Sequence, residues 1–212
     1  SRREDTVKSF GNYFKMSVGV KTYCLKNPSK KDILRYAGGD FSLAAEKLLE
    51  SALDEALKLL SFKVCYKAFP AELFGDNLIL GGFRFTSHAL ARNLEGAERV
   101  LIFVASVGVE LDRLILKYSR LSPARALMLQ AIGTERVEAL ADEFLKDYSE
   151  ENKVFLNRRF SAGYADLALL AQKDIFRLLN PEKNIGVYLN DSLIMTPSKS
   201  ITAFVGIKEA NE

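Results

Sequence analysis

RVLIFVASVG, residues 99–108, is apolar except for Arg99 and Ser106, and Gly108 stops it. A continuous apolar run of this length is the pattern of a strand buried on both faces. What covers those two faces decides the fold. After Gly108, VELDRLILKYS (109–119) reads as a helix. Ser122 then stands as N-cap before Pro123, opening a long helix through ALMLQAIGTERVEALADEFLKDY to Tyr148. At 1.5 Å per residue that helix spans about 40 Å. Upstream, Leu43, Leu48, Leu49, Ala52, Leu53, Ala56, Leu57 and Leu60 recur at helical spacing, with Asp40 or Ser42 as N-cap. SFKVCYKAF (61–69) alternates in the manner of a strand until Pro70, and Leu78–Leu80 is a further short strand ended by Gly81 and Gly82.

Residues 26–40, punctuated by Pro28 and Gly38-Gly39, read as a connector with a short helical turn. At the other end, a helix at about 167–179 precedes IGVYLNDSLIMTPSKSITAFVGI, which reads as two or three antiparallel strands turning at Asn190-Asp191 and Pro197-Ser198. Strands and helices do not alternate one for one, and the C-terminus reads as a meander. The expected class is therefore α+β, a mainly antiparallel sheet flanked by helices. A chain of 212 residues fits one domain burying roughly 70% of its unfolded surface. Residues 1–40 are taken as an N-terminal extension and connector, and 41–212 as the domain.

Thirty basic residues against 27 acidic give +3, with the charges interspersed. No basic stripe follows a phosphate backbone, so nucleic acid is not expected as a partner. No apolar run is long enough for a signal peptide or a membrane span, and the expected location is cytoplasmic. Cys24 and Cys65 match no metal or redox spacing and read as inert thiols. His88 is the one histidine, which weakens any triad, histidine metal site or proton relay, and it reads as a solvated or helix-start residue. Thr86 and Ala91 stand where the corrinoid signature D-x-H-x-x-G needs Asp and Gly. No G-x-G-x-x-G, P-loop or G-x-S-x-G elbow occurs. The acidic pairs Asp142-Glu143 and Glu150-Glu151 read as solvated helix faces.

One segment remains, RRFSAGY (158–164). Gly163 admits a positive φ and a close approach to the main chain. Arg159 offers a forked, permanently charged donor suited to a carboxylate, and Tyr164 an aromatic face with a polar tip. The segment is equally a glycine turn with a surface arginine.

RFSAGYADLALLAQKDIFRLL followed by IGVYLNDSLIMTPSKSITAFVGI resembles the R-x-x-x-G-Y and L-T-E-S-x-x-M-x-P-x-x-S-V-S segments of the activation domain of cobalamin-dependent methionine synthase. ALMLQAIGTERVEALADEFL resembles that domain's long helix, and the resemblance spans about residues 60–207. It implies a C-shaped or helmet-like domain around a twisted antiparallel sheet. It also implies binding of S-adenosylmethionine, whose methyl group returns cobalamin to its cycle from the inactive Co(II) state with an electron from a flavodoxin- or ferredoxin-type donor. Carried over, Arg159 pairs with the ligand carboxylate, Ser161, Ala162 and Gly163 lie along the ligand, Tyr164 is the motif tyrosine, and Glu138 balances the sulfonium or the amino group. Ala165 replaces the proline of the commoner GYP form, and the family's late tyrosine pair has no counterpart. With too few residues for barrel domains of about 250 residues each, the chain is expected to act in trans on a separate methionine synthase or other corrinoid protein that holds the cobalamin. The alternative is a docking module of such a complex that has lost S-adenosylmethionine binding, and the two differ in whether that ligand saturates the protein.

Overall fold

The computed structural model describes residues 17–39 and 41–209. Residues 1–16 and Asp40, the alternative N-cap, lie outside the described residues. The strands are β1 (Gly19–Tyr23), β2 (Phe62–Pro70), β3 (Glu72–Phe74), β4 (Asn77–Leu80), β5 (Phe83–Thr86), β6 (Arg99–Ser106), β7 (Val154–Leu156), β8 (Tyr188–Leu189), β9 (Met195–Thr196) and β10 (Ser200–Glu209). The helices are α1 (Lys30–Tyr36), α2 (Leu43–Ala56), α3 (His88–Asn93), α4 (Glu110–Leu121), α5 (Pro123–Asn152), α6 (Ala171–Leu179) and α7 (Pro181–Ile185).

Five strands form the main sheet in the order β1-β2-β6-β10-β7, every neighbouring pair antiparallel. The run 99–108 is β6, and it is buried on both faces as its composition requires. Leu101, Phe103 and Ala105 face a core shared with Leu49 and Leu53 of α2, Leu111 of α4 and Ile132, Leu140 and Phe144 of α5. Val100, Ile102 and Val104, one residue out of phase, face a second core with Leu78, Leu80, Phe85, Leu90, Ile175 and Leu179. The expected α+β class with an antiparallel sheet covered by helices is the observed one.

The tail departs from a meander. Among the described residues β8 pairs only with β9, whereas β10 enters the main sheet between β6 and β7. The reason is burial. Ala203, Val205 and Ile207 of β10 complete the first core and Phe204 the second, and no side chain of the two-residue β8 or β9 is buried. Helix α6 begins at Ala171 rather than near 167, because Leu167 turns inward to the second core and its carbonyl accepts from Gly163 N. Residues 17–39 are built into the same sheet and core: β1 pairs along β2, and α1 buries Ile33 and Leu34. Ser42 caps α2 by accepting from Ala45 N at 3.2 Å. Ser122 occupies the cap position of α5, but its side chain makes no cap bond.

A buried ion pair joins this N-terminal part to the long helix. Arg136 is 1% and Glu135 7% exposed. Glu135 accepts from Arg136 Nε at 2.5 Å and Nη2 at 2.6 Å, and from the backbone N of Ser29 at 3.0 Å. Truncating one partner of a buried pair leaves the other charge uncompensated. Arg136→Met is therefore expected to cost about 3–5 kcal/mol of folding stability. The double variant Arg136→Met/Glu135→Gln should cost less than the single one, with both read from urea unfolding curves.

Candidate functional site

The segment after β7 hangs on β10, and its register decides where Arg159 points. Leu156 packs on the α5 side of the sheet, whereas Phe160 is buried in the core on the opposite side. Four residues apart in a regular strand, the two would share a face. Asn157 N donates to Gly206 O at 2.8 Å, and Phe160 exchanges backbone bonds with Phe204 at 2.9 and 2.8 Å. Two residues, Arg158 and Arg159, thus run against one, Val205. The extra residue is a bulge, which shifts the side-chain alternation by one and turns Arg159 toward α5. Asn157 fixes its start by donating from Nδ2 to Asn93 O at 2.7 Å, a close fit that Gly206 permits by having no side chain.

On α5, Glu138 and Asp142 are one turn apart and share a face. Arg159 Nη2 lies 2.7 Å from Glu138 Oε2 and 3.2 Å from Asp142 Oδ1. Below the loop, Ser161 Oγ donates to Thr202 O at 2.9 Å. The Tyr164 ring meets Phe160 edge-on at 5.4 Å between centroids while remaining 66% exposed. Together with Leu145, Asn157, Arg158 and Ile201 these side chains line a recess of about 560 Å³. Of the six residues singled out by sequence, Arg159, Ser161, Tyr164 and Glu138 come together at its wall. Ala162 turns toward the second core, and Gly163, with φ of 82°, closes the turn by donating to Leu167 O at 2.9 Å. Asp142 was read from sequence as a solvated face. Its i+4 spacing from Glu138 is the signal that pairs the two, but only the bulge brings an arginine opposite them.

The loop is tied down at its far side by Asp166. Its carboxylate accepts from Ser87 Oγ, from His88 N at 2.7 Å and from Ala89 N at 3.2 Å, satisfying the free N–H groups that open α3. His88 itself is exposed and lies 3.0 Å from Asp76 Oδ1.

The family model for the activation domain of vitamin B12 dependent methionine synthase matches residues 88–212. The chain belongs to this family. The match begins at the first residue of α3 and takes in every residue lining the recess. Among solved structures, the chain is similar to a crystal structure of the MetH reactivation domain bound to AdoHcy, at 17% identity and a TM-score of 0.64, over 92% of this chain and 80% of that one. At that identity the likeness is one of fold, and it extends to the N-terminal strands and helices that the family match leaves out. No curated protein matches the chain. No helix among the described residues of this activation domain is long and apolar enough to cross a membrane.

The hydrogen bond from Ser87, then those from the His88 and Ala89 amides, hold the Asp166 carboxyl below its usual 3.8. A depressed carboxylate pKa stabilises the fold above the unfolded value and loses that contribution as the pH falls through the folded value. The stability difference between wild type and Asp166→Asn is expected to be constant from pH 7 to 5 and to vanish progressively below about pH 4, as followed by urea unfolding.

Proposed function

We propose that this activation domain binds S-adenosylmethionine in the recess beside α5 and presents its methyl group to a cobalamin carried by a separate module. The observation that carries the reading is the bulge-directed Arg159, paired with Glu138 at the wall of a 560 Å³ recess. The volume lies within the range of about 300–1,000 Å³ usual for small-molecule sites. An amino acid head carries one carboxylate and one ammonium group, and the wall offers one guanidinium and an adjacent carboxylate. Arg159 is the partner for the ligand carboxylate, and Glu138 both orients Arg159 and accepts from the ligand ammonium.

Ser161 holds the loop to β10, and Ala162 and Gly163 set the turn that brings the Tyr164 ring to the surface. That exposed ring gives the adenosine part of the ligand an aromatic edge to lie against. S-adenosylmethionine supplies an electrophilic methyl carbon; the residues of this chain supply binding, orientation and charge. The recess opens to solvent on the side where Tyr164 and Asp142 are exposed, so a corrinoid-bearing partner has access from that side. The electron needed for reductive methylation comes, in this reading, from a flavodoxin- or ferredoxin-type donor acting on that partner.

Calorimetric titration with S-adenosylmethionine is expected to show saturable binding. Arg159→Ala removes charge-assisted hydrogen bonds worth about 1.5–3 kcal/mol, so binding should weaken about ten- to a hundredfold. Absence of binding up to millimolar ligand would instead leave a docking module that contacts a corrinoid protein without delivering methyl.

A further inference from the structure

A second recess, of about 590 Å³, lies at the β7 edge of the main sheet and shares Asn157 and Arg158 with the first. Its walls carry Arg92 and Glu95 from the end of α3 and the turn after it, Arg158 from the bulge, Lys208 from β10 and Leu156 from β7. The three cations are far apart in the chain, and two fixed contacts bring them together. Lys208 stands opposite Phe155 in the ladder between β10 and β7, and Asn157 Nδ2 donates to Asn93 O at 2.7 Å, which fastens the end of α3 to the bulge. Lys208 reaches back over the turn after α3, where a Cβ on Gly96 would lie 3.4 Å from its Nζ.

Three cations here face one carboxylate, that of Glu95, which leaves an excess of two positive charges. Among the described residues, none of Arg92, Arg158 and Lys208 takes part in an ion pair. The carboxylate of Glu209, next to Lys208, is engaged by Arg99 Nη2 at 2.8 Å, and strand alternation turns it to the opposite face. Like charges gathered in one concavity repel one another and draw counter-ions to it. We propose that this recess binds the phosphate dianion of a small phosphorylated molecule. A phosphate monoester carries about −1.5 to −2 charge at pH 7 and three acceptor oxygens, which matches the excess of two and the three donors. Arg92 and Arg158 offer forks that fit pairs of phosphate oxygens, and Lys208 a point charge. A lone carboxylate brings one charge and two oxygens, fewer than the donors present. The phosphate occupies only part of a volume that lies within the range of about 300–1,000 Å³ usual for small-molecule sites, and Leu156 gives the organic remainder an apolar wall. The cations are confined to one recess rather than spaced along a track, so a nucleic-acid backbone is not the occupant. This site stands independently of the S-adenosylmethionine reading of the first recess.

The test is calorimetric titration at low ionic strength with glucose 6-phosphate as the probe and glucose as its uncharged counterpart. The proteins are wild type, Arg92→Gln, Lys208→Gln and Lys47→Gln. Arg92 and Lys208 line this recess and not the first, and neither belongs to a core, so their substitution leaves both the fold and the S-adenosylmethionine recess in place. Lys47→Gln makes the same change of net charge on α2, which contributes nothing to the recess. Glucose 6-phosphate should saturate the wild-type protein and glucose should not. Arg92→Gln and Lys208→Gln should each weaken binding about two- to fivefold, the size of an exposed ion pair, while Lys47→Gln keeps the wild-type affinity. No saturation by millimolar glucose 6-phosphate overturns the proposal. So does an equal affinity in all four proteins, or an equal weakening in all three variants, which marks a response to net charge rather than to this recess.

Discussion

Strand β10 is the element on which the rest of the molecule depends. It is last in sequence among the described strands yet lies inside the sheet, hydrogen-bonded to β6 on one side and β7 on the other. Its side chains enter both cores, so α4 and α5 on one face and α3 and α6 on the other are assembled around a strand that arrives late. Among the described residues, the segment carrying Arg159 has no sheet partner except β10. Without Gly206 and Phe204 to receive Asn157 and Phe160, nothing would set the bulge. A surface loop usually depends on a rigid scaffold beside it; here the scaffold strand also sets which way the Arg159 side chain faces.

Helix α5 treats its charges in two ways, and burial decides which. Glu135 and Arg136 are turned inward, where they pair with each other and fasten the chain near Ser29 to the helix. Three residues further on, Glu138 is half exposed, and Asp142 more so. Interactions among exposed charges are weak and readily exchanged, whereas buried ones are costly to break. The same helix thus contributes a permanent fastening on one side and an exchangeable pair of carboxylates on the other.

The main elements were legible because each is dictated by a local pattern. The apolar run of β6, the 3.6-residue recurrence in α2 and α5 and the Gly-Tyr turn before α6 all follow from side-chain periodicity and backbone freedom within a short window. The strands β1, β3, β5 and β7 carry no apolar run bounded by turn residues, and their extended form is enforced by the neighbours they pair with. The six candidate residues came from resemblance of the loop and helix segments to the family. Arg159 and Glu138, 21 positions apart, meet only because α5 and β7 lie on adjoining parts of one core. Asp142 went unrecognised because on its helix alone it looks like any solvated acid.

The sequence by itself determined an α+β domain with a strand buried on both faces, a long helix and an arginine-bearing loop of the methionine synthase activation family. These are properties of composition, spacing and motif. Only the tertiary structure decided that the final strand lies inside the sheet and that the loop meets it with one residue too many. The direction in which Arg159 points follows from that mismatch. Strand register and side-chain parity belong to pairs of segments far apart in the chain, and no local pattern contains them.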